Sequence, residues 1–320
     1  MRKKLKLITT GEHSAERLDV TLAAWLPEVL GRPVSKAKVR KLIMAGAVHL
    51  NGRPVRIPSV ALRSGARIEA HIDAEKLFED STTRDREFEL SADRILFEDE
   101  DLIVIDKPPG LPSQPTVDTS RNNLFAALSR FLSRRDRVVK PYVGVHQRLD
   151  RDTSGVVLFT KSQAANAGVA SIFSNRQGLK IYQGITVRRP NFGSTEWTVR
   201  NHLGKIASKS KRNRYGSVDT DGAFAETSFR VIEEQPGGVW IEAIPKTGRT
   251  HQIRVHLAEY GLPILGDDLY GSEKTAELAS RLMLHAALLR FLHPTTKREI
   301  CVQSPLPDDF VQCLNRIKTA

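Results

Sequence analysis

Cysteine is scarce in this sequence. Only two cysteines, Cys301 and Cys313, occur among its 320 residues, so a disulfide framework is excluded and no cysteine-based metal-ligand spacing is present. Such sparse use of cysteine fits a reducing compartment. Long apolar runs are lacking as well, because the basic start of the chain has no apolar stretch of the kind that a signal peptide needs. No run approaches the ~20 apolar residues of a membrane-spanning helix, so we expect a cytoplasmic protein with no membrane partner.

Acidic residues are few relative to basic ones. The chain has 49 Lys and Arg against 37 Asp and Glu, which gives a formal net charge of +12. Because cations that neutralise phosphates release condensed counterions, this excess favours a nucleic acid partner over a basic protein without one. Aromatic residues make up only 6% of the chain, so stacking on many successive bases is not the expected mode of binding.

A compact module is predicted from residue 16 to about residue 73. Apolar residues recur there at helical spacing, and a second helix is expected from Ser35, a good N-cap, through Ile43. Asn51-Gly52 is a strong signal for a hairpin turn. A basic helix beside a small hairpin can lie along an RNA backbone, although a solvated helix face is the alternative. The polar face of this helix carries Lys36, Lys38, Arg40 and Lys41.

Residues 74–90 are charged and weakly periodic, which suits a linker. Beyond them we expect a hairpin around the acidic turn 98–101, a helix capped by Asn122 and a helix capped by Ser162. Residues 205–214 are expected to form a flexible basic loop. Strands intermixed with helices and hairpins predict an α+β fold, with a mixed, largely antiparallel sheet and flanking helices behind a small N-terminal α/β module.

A dense polar stretch at residues 146–155 runs straight into the apolar run 156–160, which indicates a loop feeding a buried strand. Loops held by a rigid scaffold often carry chemistry, although a surface turn with solvated ion pairs is the alternative. Asp150, flanked by Arg148 and Arg151, can stay ionised in a half-buried position because a nearby guanidinium favours the charged carboxylate. Such a carboxylate is a nucleophile or an electrostatic stabiliser.

Two other kinds of site are disfavoured. Ser154 beside His146 suggests a hydrolase triad, but the chain has no Gly-x-Ser-x-Gly elbow. His251 and His256 suggest a metal, but this separation turns the two rings about 140° apart on a helix. Two ligands on one helix face need a separation of about three or four residues. We therefore expect no metal site.

Several motifs together resemble known families. Arg17-Leu18-Asp19, the helix that starts at Ser35 and the Asn51-Gly52 turn resemble the small RNA-binding domain named after ribosomal protein S-four. Further along, four blocks occur in family order and resemble the RluA family of pseudouridine synthases. They are Arg148-Leu149-Asp150-Arg151-Asp152-Thr153-Ser154-Gly155, then Lys180-Ile181-Tyr182, then Gly248-Arg249-Thr250-His251-Gln252-Ile253-Arg254-Val255-His256, and finally Leu284-His285-Ala286 with Phe291-Leu292-His293-Pro294.

The resemblance implies a cofactor-free isomerisation of uridine to pseudouridine in RNA, with the target base flipped out of its stack. Asp150 matches the catalytic aspartate, which takes part in breaking the glycosidic bond. Tyr182 matches a tyrosine that stacks on the base and can help remove the proton from carbon five. Arg254 matches the basic residue that pairs with the aspartate and keeps it ionised. Arg148 and Arg249 are expected to contact the RNA.

One position departs from the family pattern. The family places a histidine directly before Arg-Leu-Asp, whereas Gln147 stands there in this chain. His146 is therefore displaced by one position, and Asp150 is unaffected.

The resemblance also implies domains and a substrate. We expect an S-four-like RNA-binding domain at residues 1–75, a linker at 76–92 and a catalytic domain at 93–320. The N-terminal module favours ribosomal RNA over transfer RNA, by analogy alone. A noncatalytic RNA-binding or ribosome-assembly protein on the same fold is the alternative, and the intact set of Asp150, Tyr182 and Arg254 favours the enzyme.

Overall fold

The computed structural model describes residues 2–73, 87–115, 122–189, 193–207 and 213–319. The chain divides into two compact units, Met1–Arg86 and Glu87–Ala320. Of the predicted linker, residues 74–86 lie outside the described residues, as do residues 208–212 of the predicted basic loop. Within the described ranges, no helix is both long and apolar enough to cross a membrane.

The N-terminal unit is a small antiparallel sheet packed with two helices. In chain order its elements are β1 (Arg2–Ile8), α1 (Leu18–Leu30), α2 (Lys36–Met44), β2 (Val48–Leu50), β3 (Arg53–Val55) and β4 (Arg67–Asp73). The strands lie in the order β1-β4-β2-β3, and each neighbouring pair is antiparallel. Leu22 and Leu26 of α1 pack with Val39 and Ile43 of α2 in one core, so apolar residues at helical spacing hold the helices to the sheet.

Two local signals explain where these elements end. Asn51 and Gly52 both have positive φ, 52° and 80°, which is the conformation of a two-residue hairpin turn, and they join β2 to β3. The Ser35 hydroxyl accepts a hydrogen bond from the Lys38 amide at 3.3 Å, so Ser35 caps α2. The predicted helix and hairpin are both confirmed.

The second unit is larger and is built on one sheet. Its elements are β5 (Ile95–Glu98), β6 (Leu102–Lys107), α3 (Leu124–Asp136), β7 (Gly144–Val145), β8 (Ser154–Thr160), α4 (Ala165–Ser174), β9 (Leu179–Thr186), β10 (Glu196–Ile206), β11 (Arg214–Ser217), β12 (Ala223–Gln235), β13 (Gly238–Pro245), α5 (Gln252–Glu259), α6 (Glu273–Glu277), β14 (Leu284–Leu292), β15 (Glu299–Gln303) and α7 (Asp308–Thr319).

The described strands of this unit form an 11-stranded sheet in the order β11-β10-β12-β13-β9-β14-β8-β6-β5, with β15 paired to β14 and β7 paired to β8. The pair β14–β8 is parallel, and the other described pairs of this sheet are antiparallel. The predicted α+β class, with a largely antiparallel sheet, is confirmed.

A core on one face of the sheet fixes the position of α5. Ile253 and Leu257 of α5 pack with Phe229 and Ile241 of the sheet, and Phe310 of α7 closes the same cluster. Each such side chain contributes roughly 1.5–3 kcal/mol when it is removed from water. Because α5 is held this firmly, a polar side chain on it has a fixed place.

Strand β14 lies between β8 and β9 and joins them. Ala286 pairs with Gly155 of β8 on one side and with Tyr182 of β9 on the other. Gly155 has a φ of 110°, and a Cβ atom there would overlap the Ala286 carbonyl. A glycine is therefore required where the polar stretch 146–155 enters the sheet.

Two predicted helix starts need correction in detail. Helix α3 is capped by Asn123, whose side chain accepts from the Ala126 amide at 2.9 Å, and not by Asn122. The residue directly before the first helical turn is the one that reaches this amide, so the neighbouring asparagine is one position too early. Ser162 does accept from the Ala165 amide (3.3 Å), but α4 begins only at that residue.

The predicted flexible loop 205–214 is shorter in the structure. Strand β10 extends to Ile206 and β11 begins at Arg214, and the two strands pair with each other. Lys205 and Arg214 are therefore strand residues. Backbone pairing between β10 and β11 extends the sheet into a segment whose basic composition suggested a loop.

Candidate active site

A cleft opens where three segments of the second unit converge. They are residues 146–155, called here the Asp150 loop, the first part of β9, and residues 246–251, called here the β13–α5 loop. The empty volume of the cleft is about 590 Å³. The structure brings together five of the predicted site residues at this cleft, although they are far apart in sequence: Arg148, Asp150, Tyr182, Arg249 and Arg254.

The Asp150 loop is held on both sides of Asp150. The amide and the carbonyl of Leu149, which is buried, both hydrogen-bond to the Ser113 hydroxyl, at 3.0 and 3.1 Å. On the other side, the Arg151 carbonyl accepts from the Lys107 ammonium at 2.9 Å. Because both neighbours are fixed, the Asp150 carboxylate has a defined position in the cleft.

Lys107 is the buried side chain that supports the Asp150 loop. It is fully buried at the end of β6, and its ammonium also donates to the carbonyls of Pro108 (2.9 Å) and Leu111 (2.8 Å). Burial lowers the pKa of Lys107, and the charges of Asp152 and Asp150 only partly oppose this, so the pKa falls to about 7. Three carbonyl acceptors compensate the donors of this buried group.

Arg254 connects Asp150 to a second carboxylate. Its Nη1 donates to Asp150 Oδ2 at 3.0 Å, while its Nε and Nη2 donate to both oxygens of Asp267 at 2.8 and 2.9 Å. Burial lowers the pKa of Arg254, but the hydrogen bonds and charge of Asp267 and the charge of Asp150 raise it by more, so it lies above its ordinary value. The guanidinium therefore remains charged beside Asp150.

Asp267 is the buried carboxylate that fixes the position of Arg254. Its side chain is 1% exposed, and its Oδ1 also accepts from the amides of Leu269 (2.9 Å) and Tyr270 (3.0 Å). Burial raises the pKa of Asp267, but the hydrogen bonds and charge of Arg254 lower it by more. The bidentate pair holds the plane of the guanidinium and leaves one amino group for Asp150.

His251 lies beside Asp150 in an unusual conformation. It directly precedes α5 with a φ of 57°, which is rare for a residue other than glycine. Its Nδ1 is 2.8 Å from the Tyr270 hydroxyl, and its Nε2 is 3.8 Å from Asp150 Oδ2. Burial lowers the pKa of His251 more than the Asp150 charge raises it, so the imidazole is neutral at neutral pH.

Tyr182 supplies a ring on the other side of the cleft. It packs between two hydrophobic clusters, one around α5 and one beneath the Asp150 loop. Burial and the charge of Asp150 raise the pKa of Tyr182 above its ordinary value, so the phenol stays protonated. None of the described residues hydrogen-bonds to its hydroxyl. The cleft thus offers a neutral aromatic surface next to a paired carboxylate.

The β13–α5 loop is shaped by Gln252, the first residue of α5. The Gln252 carbonyl oxygen accepts from the Thr247 hydroxyl (2.7 Å) and the Arg249 amide (3.0 Å). Its amide nitrogen donates to the Glu226 carbonyl (3.0 Å) and the Thr227 hydroxyl (2.9 Å). One buried side chain therefore ties this loop to β12 and fixes the far wall of the cleft.

Two exposed arginines stand at the rim of the cleft. Arg148 donates through Nη2 to the Thr250 hydroxyl at 3.0 Å, which links the Asp150 loop to the β13–α5 loop. Arg249 donates through Nε to the Phe224 carbonyl at 2.9 Å. Both side chains remain exposed, so each of the two loops carries a positive charge at the opening.

The other predicted contacts lie on α2 of the N-terminal unit. Lys36 and Arg40 are exposed there. Arg40 also donates to Asp19, a fully buried carboxylate on α1, at 2.8 Å, so part of its charge serves to hold the two helices together. The side chain of Lys41 lies outside what the structure describes. The remaining member of the set is Lys38, which is partly exposed.

The structure gives other partners to the residues of the two disfavoured sites, the hydrolase triad and the histidine metal site. His146 lies by the Thr160 end of β8, with its Nε2 3.2 Å from the Thr160 hydroxyl, and does not line the cleft. Ser154 instead contacts His285, with 3.0 Å between the Oγ and Nδ1 atoms. His256 points toward Thr227. Among the described residues, no group of three or more His, Cys, Asp or Glu side chains could hold a metal ion.

Comparison with known proteins places these features in a family. Residues 101–259 match the family model described as RNA pseudouridylate synthase, and residues 16–68 match the S4 domain. The chain is 32% identical to ribosomal large subunit pseudouridine synthase D of Haemophilus influenzae, over 96% of this chain and 93% of that protein. The chain belongs to the RNA pseudouridine synthase family.

Further members of the RNA pseudouridine synthase family match along most of their length. Ribosomal large subunit pseudouridine synthase C of Vibrio vulnificus is 29% identical, over 100% of this chain and 99% of that protein. The solved structure of human RNA pseudouridylate synthase domain containing 4 superimposes with a TM-score of 0.57 at 26% identity, covering 70% of this chain and 92% of that chain. The predicted family, and the enzyme class it carries, are confirmed.

Three side chains that hold the walls of this pseudouridine synthase cleft were not predicted from the sequence. Lys107 ends an apolar strand directly before Pro108, and a lone cation there was a signal for a buried donor. Asp267 follows Gly266, whose φ is 76°, in a stretch without an evident partner for its charge. Tyr270 shows no local signal, because its role depends on contacts with Arg254 and His251.

Proposed function

We propose that this protein isomerises specific uridines in structured RNA to pseudouridine, with Asp150 as the catalytic residue. The observation that carries the proposal is the Asp150 carboxylate, which reaches the cleft with 29% of its side chain exposed while Arg254 pairs with it. Arg254 is in turn held by Asp267. A paired carboxylate beside an open aromatic face suits attack on, or stabilisation of, an electron-poor sugar carbon.

The reaction needs a base that leaves the sugar and returns by another atom. The bond between nitrogen one and the anomeric carbon breaks, the uracil turns in place, and carbon five bonds to the same anomeric carbon. Carbon five then gives up its proton and nitrogen one takes one, so atoms and electrons balance without an oxidant, a reductant or a cofactor. Asp150 assists bond cleavage at the sugar. Tyr182, which stays protonated, supplies a stacking surface that keeps the uracil in the cleft.

The target uridine must leave its helix before it can enter this cleft. Flipping a nucleotide out of its stack costs a few kcal/mol, which contacts elsewhere on the RNA must offset. We assign the phosphates on either side of the uridine to Arg148 and Arg249, which line the cleft. The chain's net charge of +12 adds a sequence-independent attraction for RNA.

We further infer that the substrate is ribosomal RNA. This inference is supported by relatives that match nearly the whole chain and are named ribosomal large subunit pseudouridine synthases. Transfer RNA is the second candidate substrate. Such a substrate would place the protein in the cytoplasm. We assign residues 1–75 to an RNA-binding domain, 76–92 to a linker and 93–320 to the catalytic domain, and we assign α2 to RNA contact through Lys36, Lys38, Arg40 and Lys41.

A tritium-release assay tests the proposed function. Transcripts of ribosomal and transfer RNA carrying tritium at carbon five of uridine are incubated with the protein, because pseudouridine formation expels that hydrogen. We expect release from ribosomal RNA and little from transfer RNA. Release from transfer RNA alone would overturn the substrate assignment. Binding without release from any RNA would favour a noncatalytic RNA-binding or assembly protein on this fold.

The contribution of α2 is tested by removing charge. Lys36→Gln combined with Lys38→Gln should weaken RNA binding and lower the slope of log Kd against log salt by about 1.4 to 1.8, since each lost phosphate contact removes about 0.7 to 0.9. Equilibrium binding at several salt concentrations measures this. The matched control is Lys4→Gln combined with Lys6→Gln on β1, where both lysines face Glu69. An equal change of slope in the control would remove α2 from the RNA interface.

A further inference from the structure

Phe224 is placed unlike the other phenylalanines of this protein. Nine of the ten phenylalanines that the structure describes belong to hydrophobic clusters, and Phe224 belongs to none of them. It lies near the start of β12, half-buried in the sheet. Because the hydrophobic effect normally draws a phenyl ring into a core, a ring left at the surface needs another explanation.

Polar side chains flank this ring in place of apolar ones. The guanidinium carbon of Arg176 is 5.8 Å from the centre of the Phe224 ring, within the range of a cation–π contact. His202, the cross-strand partner on β10, meets the ring edge-on with 5.8 Å between ring centres and 67° between planes. Arg176 and His202 are both exposed. The three side chains are named here the Phe224 platform, which is an aromatic ring with an exposed guanidinium over its face and an imidazole at its edge.

The Phe224 platform is joined to the cleft through Arg249. Arg249 lines the cleft and donates from Nε to the Phe224 carbonyl at 2.9 Å. Arg176 lies in the turn between α4 and β9, the strand that carries Tyr182, and that turn is held by a hydrogen bond from the Arg176 amide to the Phe173 carbonyl at 3.3 Å. The platform therefore adjoins the rim where a strand of RNA would leave the cleft.

Positive charge continues along the strand beyond Phe224. Glu226, two residues on and so on the same face of β12, is buried and holds two exposed cations. Its oxygens are 3.0 Å from Lys246 Nζ and 3.3 Å from Arg200 Nε. Two cations around one carboxylate leave a net positive charge, and their outward donors can meet phosphates. An aromatic surface bordered by such charge is the combination by which proteins hold unpaired nucleotides.

We propose that the Phe224 platform is a binding site for an unpaired nucleobase next to the target uridine. The base takes the place that Arg176 holds over the Phe224 ring, and the adjoining phosphate faces the displaced Arg176 or Lys246. This deepens the proposed function and rests on it, since it assumes that RNA enters the cleft. A stacked neighbour would hold the strand open after the uridine has left the helix, and would select RNA that is unpaired at that position.

Three variants test the site on the ribosomal RNA transcript that binds the wild-type protein. Phe224→Ala should weaken binding by about 5- to 150-fold, from the usual contribution of base–aromatic stacking. Because the ring carries no charge, the salt slope should stay that of the wild type. Phe224→Trp, which keeps an aromatic face, should bind within about three-fold of the wild type. Arg176→Gln should instead lower the salt slope by about 0.7.

The kinetic readout separates binding from chemistry. In the tritium-release assay Phe224→Ala should lower kcat/KM mainly through a higher KM. The matched control is Tyr142→Ala, which removes a more exposed aromatic ring near the Thr160 end of β8 and should leave Kd unchanged. Circular dichroism and thermal unfolding verify that each variant is folded.

The outcomes are distinct for the two proposals. Binding by Phe224→Ala equal to that of the wild type, or an equal loss in Tyr142→Ala, overturns the base site while leaving the isomerase intact. A wild-type protein that releases no tritium overturns the proposed function. The Kd values of the wild type, Phe224→Ala and Phe224→Trp still decide whether a base stacks on Phe224. A loss that Phe224→Trp fails to restore also rejects the stacking role.

Discussion

Replacing Asp150 with asparagine should lower turnover by about 10⁴-fold or more, because a neutral amide of the same shape can neither attack nor stabilise an electron-poor sugar carbon. Arg254 keeps its bidentate pair with Asp267 in this variant, so the wall of the cleft should remain in place. RNA affinity should stay within about three-fold of the wild type. Single-turnover tritium release and equilibrium binding measure the two effects separately.

The matched control for this variant lies in the same loop. Asp152 is two residues away and forms an exposed ion pair with Arg151 at 3.1 Å, so Asp152→Asn makes the same chemical change outside the cleft. Its turnover should stay within about three-fold of the wild type, since exposed pairs contribute little. If Asp150→Asn kept more than about a tenth of wild-type turnover, Asp150 would lose its assigned role.

Replacing Asp267 with asparagine should lower both stability and turnover. Removing one partner of a buried ion pair leaves the other charge uncompensated, at a cost of about 3–5 kcal/mol, which corresponds to a fall in Tm of roughly 10 °C. Turnover should fall about 10- to 1000-fold even below the melting range, because Arg254 is no longer held toward Asp150. Thermal unfolding and single-turnover kinetics at a low temperature measure these effects.

The pH dependence gives this prediction a second test. The pKa of Asp267 lies below its ordinary value in the folded protein, so the pair stabilises the fold fully above the unfolded pKa of about 4 and loses its effect as pH falls through the folded pKa. The difference in stability between the wild type and Asp267→Asn should therefore shrink in acid. Asp268→Asn, at the exposed neighbouring position, is the control, and a fall in Tm as large as that of Asp267→Asn would contradict the assignment.

Local signals in the sequence were sufficient for several elements. The Asn51-Gly52 turn, the Ser35 cap and the strand that follows Asp150 depend on residues close together in the chain, and the structure has all three. Strand β1 was missed although Lys4-Leu5-Lys6-Leu7 alternates with the period of a strand, because the basic start was assessed only as a possible signal peptide. Its partner β4 lies about 60 residues away, and local sequence does not encode that pairing.

The cleft was predictable only in part. Asp150 and Arg254 could be paired through family resemblance, and the structure places them 3.0 Å apart. The second partner of Arg254, Asp267, could not be predicted because bidentate contact depends on how the segment after α5 folds back. The two histidines were assessed as if both were helical, but His251 lies before α5 with left-handed backbone. The angle assigned to that pair therefore does not describe it.

The position of β14 in the sheet has a consequence for how the enzyme matures. In the described sheet β8 and β9, which carry the two sides of the cleft, each hydrogen-bond to β14 and not to each other, and β14 begins at Leu284 in a chain of 320 residues. Domains fold during synthesis from the N-terminus, at about 5–20 residues per second. The N-terminal unit can form early, whereas the cleft cannot close until nearly nine-tenths of the polypeptide has been translated. The RNA contacts proposed for α2 can thus form on a nascent chain before the proposed active site exists.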